Sequence, residues 1–155
     1  MSCLYRYKAS ADKKDYKFLT ASNDLYFLFF TDFILTTPVG DELKILSVGF
    51  SCIKNQTQNC YDPKVRLTLI SLIKSLFEDD KQSVLFYICL NNDGKAKYRN
   101  RKFNQWFRSN DDGYIKHQII IDDFHCSILL RADHPNLHEI IDAFEYTIKT
   151  YWQID

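Results

Sequence analysis

Glycine and proline are scarce in this chain, at four and three among 155 residues. That scarcity excludes collagen-like and low-complexity architectures, and it leaves little material for a Gly-rich phosphate loop. No internal repeat, linker or biased tract appears, so a single α+β domain spanning residues 1–155 is the expected organisation. No apolar run reaches the roughly 20 residues that a membrane helix needs. The longest, around Leu25 to Leu35, is broken by Thr31 and Asp32. The start of the chain, Met1 to Lys8, lacks the apolar stretch of a secretory signal, so the expected location is cytoplasmic. Nor does either charge prevail. Twenty Lys and Arg balance twenty Asp and Glu, which argues against a dedicated duplex-binding domain.

The motifs of well-known chemistries are missing too. Cys3, Cys52, Cys60, Cys89 and Cys126 are odd in number, widely spaced and without a CxxC pair, so reduced thiols are expected. Cys89 and Cys126 sit in apolar runs, where a free thiol acts as a small buried hydrophobe. No HExxH pattern and no GxSxG setting occurs. The sequence calls for no cofactor and no metal, and it identifies no reaction. His134 and His138, four apart, lack further ligands nearby in sequence, and helix-end histidines are the simpler reading.

What the chain does have is aromatic area: 12 Phe, 10 Tyr and 2 Trp, enough to build a core without covalent help. Segments Leu4–Lys8, Tyr16–Thr20, Leu25–Thr36 and Leu43–Ile53 read as strands, the last two separated by a turn at 36–41, together forming an antiparallel meander. Asp62 and Pro63 are a capping residue and a tolerated first helical residue; Val65, Leu69, Leu72, Ile73, Leu76 and Phe77 then follow helical spacing. Ser83–Leu90 is a continuous apolar run, expected to be a central strand covered on both faces. Tyr114–Ile121 and Phe124–Leu130 should pair as a hairpin across Asp122-Asp123. A last helix after Asp133 and Pro135 carries Leu137, Ile140, Ile141, Phe144 and Ile148. Near the C-terminus, Tyr146, Tyr151 and Trp152 are expected to pack on the sheet rather than to form an open patch. The expected fold is α+β, with about seven strands and three helices in the order ββββαβαββα and a largely antiparallel sheet.

The second of those helices is the chemically distinctive one. Residues 95–108 contain six cations and no anion. At 100° per residue Phe103, Trp106 and Phe107 fall on one side, and Lys97, Arg101, Asn104 and Arg108 on another. Lys95 stands near the helix start, where unpartnered backbone N–H groups favour an anion. Lys95, Lys97, Arg101, Asn104 and Arg108 are therefore the candidate anion-binding residues, and nucleic acid, a nucleotide or an acidic protein surface is the candidate partner. A solvated helix paired with nearby aspartates is the competing reading. His117 and His125, on the expected hairpin, are weak candidates for an acid/base pair if they lie adjacent across the turn.

Several segments together resemble a family of short bacterial proteins of unknown function. They are Asp62-Pro63-Lys64-Val65, Leu85-Phe86-Tyr87-Ile88-Cys89 and Asp93-Gly94-Lys95-Ala96-Lys97-Tyr98-Arg99 with Phe103 and Trp106. Tyr16-Lys17-Phe18-Leu19-Thr20 and His134-Pro135-Asn136 also fit. The resemblance spans nearly the whole chain and implies a bacterial origin, but no activity. The function expected is a binding module meeting an anionic partner through the basic helix. The alternatives are an accessory protein-interaction subunit and a small toxin-like nuclease.

Overall fold

The computed structural model describes residues 3–54, 62–89, 101, 104–105, 113–121 and 124–151. Seven strands, β1 (Tyr7–Ala9), β2 (Asp15–Leu19), β3 (Leu25–Thr36), β4 (Glu42–Ile53), β5 (Val84–Cys89), β6 (Tyr114–Ile121) and β7 (Phe124–Arg131), accompany helices α1 (Pro63–Asp79) and α2 (Leu137–Tyr151). The strands form one sheet in the order β1-β2-β3-β4-β5-β7-β6. Most pairings are antiparallel, but β4 and β5 run parallel through Leu46 opposite Leu85 and Ser47 opposite Phe86. A parallel pair needs a long crossover connection, and α1 falls in the one between these strands.

The α+β class, the seven strands and the hairpin across 122–123 follow the sequence reading. Two helices are found among the described residues where three were expected. The helix expected at 95–108 lies outside the described residues apart from Arg101, Asn104 and Gln105, which are helical.

The chain divides into two compact units. The first comprises Met1–Thr31 and Val48–Asp79. Its sheet buries Phe18, Leu28 and Phe30 on one face. There Tyr5 stacks on Phe18 and Phe18 on Tyr26, with centroids 5.8 and 5.3 Å apart. Asp62 caps α1 by accepting from the Lys64 N–H at 2.9 Å, and its other oxygen accepts from the Tyr5 hydroxyl at 2.6 Å. One carboxylate thus starts the helix and pins the N-terminal segment to it. On the other face of these strands Leu19, Phe29 and Ile53 remain exposed. Gly49 allows the Phe29 ring to lie on its backbone, since a Cβ there would strike the ring.

The second unit comprises Asp32–Ser47 and Asp80–Asp155. One face of its sheet contributes Leu35, Ile45, Val84, Phe86, Cys126, Ile128 and Leu130 to a core closed by Ile140, Ala143, Phe144 and Ile148 of α2. Burying each Val, Leu, Ile or Phe among them contributes about 1.5–3 kcal/mol. The Thr147 hydroxyl accepts from the Thr36 N–H at 2.8 Å and donates to the Thr36 carbonyl at 3.2 Å, fastening α2 to β3. In β5, Leu85 and Tyr87 are buried on the opposite face from Val84 and Phe86, as a central strand requires. Cys126 is fully buried, in keeping with its apolar setting. Tyr146 and Tyr151 are exposed rather than packed on the sheet: the apolar stripe of α2 that meets the core is complete without them.

Candidate anion-binding face

Because side chains alternate along a strand, the β6–β7 hairpin has two unlike faces. Its register sets His117 opposite Ile128, Gln118 opposite Ser127, and Ile120 opposite His125. Ile119, Ile121, Cys126, Ile128 and Leu130 fall on the face that meets α2. His117 is on that face as well. Its Nε2 donates to Oε1 of Glu145 at 2.9 Å and its ring stands edge-on to Phe144, 6.0 Å away.

The other face is mixed: Leu85 and Leu129 are buried on it and Ile120 is exposed, and polar side chains lie between them. Lys116 and Gln118 of β6 share it with His125, Ser127 and Arg131 of β7 and with Tyr87 of β5, which is opposite Ser127. Tyr87 and His125 are almost wholly buried and Ser127 is fully buried. The Gln118 amide Nε2 donates to Nδ1 of His125 at 3.1 Å, which leaves the imidazole proton on Nε2. The Lys116 ammonium lies 5.4 Å from the centre of the Tyr87 ring and donates to Oδ1 of Asn104. The guanidinium of Arg131 sits 5.8 Å from the Tyr114 ring and donates through Nε to Oδ1 of Asp133 at 3.0 Å. This pairing holds the Asp133 carboxyl below the usual range. The Ser127 Oγ has no hydrogen-bond partner among the described residues. A buried hydroxyl in that state costs about 1–3 kcal/mol, so its presence calls for an explanation.

His117 and His125 therefore lie on opposite faces of one hairpin and do not form an acid/base pair. The expected adjacency fails on register: across a two-residue loop the partner of His125 is Ile120, and His117 is three residues further on, with opposite parity. Asn104 was expected on a solvent-facing stripe but contacts Lys116 of β6, while Arg101 is exposed. Lys95, Lys97 and Arg108 lie outside the described residues. His134 is structural: Nδ1 accepts from the Asn136 N–H and Nε2 donates to the Gln82 carbonyl, both at 3.0 Å. With both ring nitrogens engaged, no lone pair is left for a metal. Among the described residues no cluster of His, Cys, Asp and Glu could hold a metal ion. No helix among them is long and apolar enough to cross a membrane.

Sequence reasoning missed Lys116, Gln118, Ser127 and Arg131. A signal was present. In Tyr-Ile-Lys-His-Gln-Ile the polar Lys116 and Gln118 alternate with Ile115 and Ile119, and extending the hairpin pairing outward from residues 122–123 brings Gln118 against Ser127.

Residues 61–146, more than half of the chain, match DUF6169, a family of unknown function. The matched span takes in every segment that carried the resemblance except Tyr16–Thr20. No curated protein and no solved structure matches the chain.

Proposed function

We propose that this chain, which belongs to the family DUF6169, is a bacterial cytosolic binding module for a phosphate-bearing partner, a nucleic acid or a nucleotide. The cations of segment 95–108 supply long-range attraction, and Lys116 and Gln118 of β6 add polar groups to it. One contact carries this reading: the Lys116 ammonium meets the side chain of Asn104, so a cation from the sheet stands next to the helical segment that bears exposed Arg101. Cations gathered from separate stretches of a chain with no net charge are a local feature rather than a consequence of composition. Nuclease chemistry through His117 and His125 loses its basis, because the two imidazoles cannot reach one phosphate from opposite sides of a sheet.

The test is binding of a labelled single-stranded oligonucleotide by fluorescence anisotropy at increasing salt. Displacing counterions from several phosphates makes affinity fall linearly on a log–log plot against salt, and Arg101→Glu with Lys116→Glu should remove binding. Salt-independent binding, or full binding by the double variant, refutes the proposal.

A second reading draws on the first unit alone. Leu19, Phe29 and Ile53 are exposed, Ile53 by 62%, which suits an accessory subunit that docks a protein partner. Co-purification lost in Ile53→Lys supports it, and an unchanged partner profile rejects it.

A further inference from the structure

We infer that one face of the first unit's sheet is a platform for single-stranded nucleic acid, with bases stacking on Phe27 and Phe29 and phosphates on Lys8 and Lys17. For the class of partner this rests on the nucleic-acid reading above, but it uses none of that reading's residues. Three observations carry it. Register sets Lys8 opposite Lys17 and Lys17 opposite Phe27, so two cations and a ring stand in one row across β1, β2 and β3. With neighbouring strands about 4.8 Å apart the row is about 10 Å long, and one nucleotide can lay its phosphate on the lysines and its base on the ring. Both lysines are exposed, and like charges directly opposite one another repel, which a phosphate between them relieves. Phe29 follows on the same side, about 7 Å along the strand from Phe27 and exposed by 37%, its ring lying on the backbone of Gly49.

This composition selects an unpaired strand over the other occupants. A duplex hides its base faces in the stack, whereas every unpaired base offers a ring face to an aromatic side chain. Aromatic residues on an open sheet are one recurring way in which unpaired bases are held. A protein partner suits the face less well, because lysine is depleted from protein–protein interfaces and here stands two abreast beside the rings. Asp15, opposite Phe29, is the one carboxylate that β1, β2 and residues 25–31 of β3 place on this side. It steers phosphates away from its own row and towards the row of Lys8 and Lys17.

The experiment uses the full chain and anisotropy with the labelled oligonucleotide above, the corresponding duplex, and an abasic strand with the same number of phosphates. The single strand should bind at least about fivefold more tightly than either. Lys17→Glu and Phe27→Leu should each weaken single-strand binding about fivefold or more, and Phe27→Leu should narrow its lead over the abasic strand. Lys17→Glu turns a repelling cross-strand pair into an attracting one, so it should melt no lower than the parent, which separates lost binding from lost fold. Equal affinity for the single and abasic strands, or unchanged affinity in both variants, overturns the inference. The broader reading then stands if Arg101→Glu with Lys116→Glu still loses binding. Loss in Lys17→Glu and Phe27→Leu with full binding by that double variant upholds the platform and refutes the broader reading. Variants that keep the oligonucleotide but shed a co-purifying protein, or fall from dimer to monomer in sedimentation, overturn the inference and give the face to a protein partner or a second copy. If the parent binds no strand, both readings fall together.

Discussion

Replacing Thr147 with valine isolates one fastening of the second unit. Threonine and valine have nearly the same shape and similar helix propensity, so the change makes no cavity and leaves α2 itself intact. What disappears is a hydroxyl that is 1% exposed and makes two hydrogen bonds to one residue, at 2.8 Å from the Thr36 N–H and 3.2 Å to the Thr36 carbonyl. Each bond contributes about 1 kcal/mol net, and leaving the Thr36 groups without that partner adds desolvation of about 1–3 kcal/mol. Partial access of water to Thr36 offsets some of this, and the expected loss is about 2–4 kcal/mol. Urea unfolding followed by tryptophan fluorescence measures it, with a lower midpoint and an unchanged slope. Thr147→Ser keeps the hydroxyl and should lose only about 1 kcal/mol for the missing methyl. A valine variant within about 0.5 kcal/mol of the parent would refute the claim that this hydroxyl fastens the helix to the strand.

Other outcomes follow from the same contacts. Asp62→Ala removes both the α1 cap and the acceptor of the Tyr5 hydroxyl and should cost about 2–3 kcal/mol, against about 1–2 for Tyr5→Phe. Adding Tyr5→Phe to Asp62→Ala should then cost less than Tyr5→Phe alone, since the two share one bond and only the bond from the Ala21 N–H to the Tyr5 hydroxyl, at 3.3 Å, is left to lose; full additivity in denaturant melts would contradict it. Burial, then the hydrogen bond with Cys52, pushes the Tyr26 hydroxyl up to about 12. Its folded value exceeds the unfolded one, so this contribution is complete below pH 10 and is lost as pH rises towards about 12. An ultraviolet phenolate titration should show a late-titrating tyrosine that Tyr26→Phe abolishes. Phe144→Ala, at the centre of the α2 interface, should cost about 3–5 kcal/mol in the same unfolding assay.

The architecture was legible where local and tertiary signals agree. Asp62-Pro63 marks a helix start because a carboxylate can cap and a first-turn proline forgoes no bond, and the apolar spacing beyond it matches the buried face of α1. Ser83–Leu90 announced a strand covered on both sides because nothing in it alternates. The parallel partnership of β4 and β5 was not legible, since strand order depends on where α1 carries the chain and no local residue encodes that. In the candidate site, composition pointed to the 95–108 cations but missed the sheet. Lys116 looks unexceptional in a strand until the register sets it beside Ser127 and Tyr87. The histidine pair misled because two residues near a turn were counted as neighbours, whereas parity decides which side of a sheet each one occupies.

The most direct test of the phosphate-binding account is amide NMR of the full chain titrated with a nucleoside 5′-monophosphate. The account predicts shifts concentrated at Arg101, Lys116 and Gln118, saturating with ligand and absent with the bare nucleoside. A spectrum that stays still at these amides, or that moves only around Leu19, Phe29 and Ile53, contradicts it.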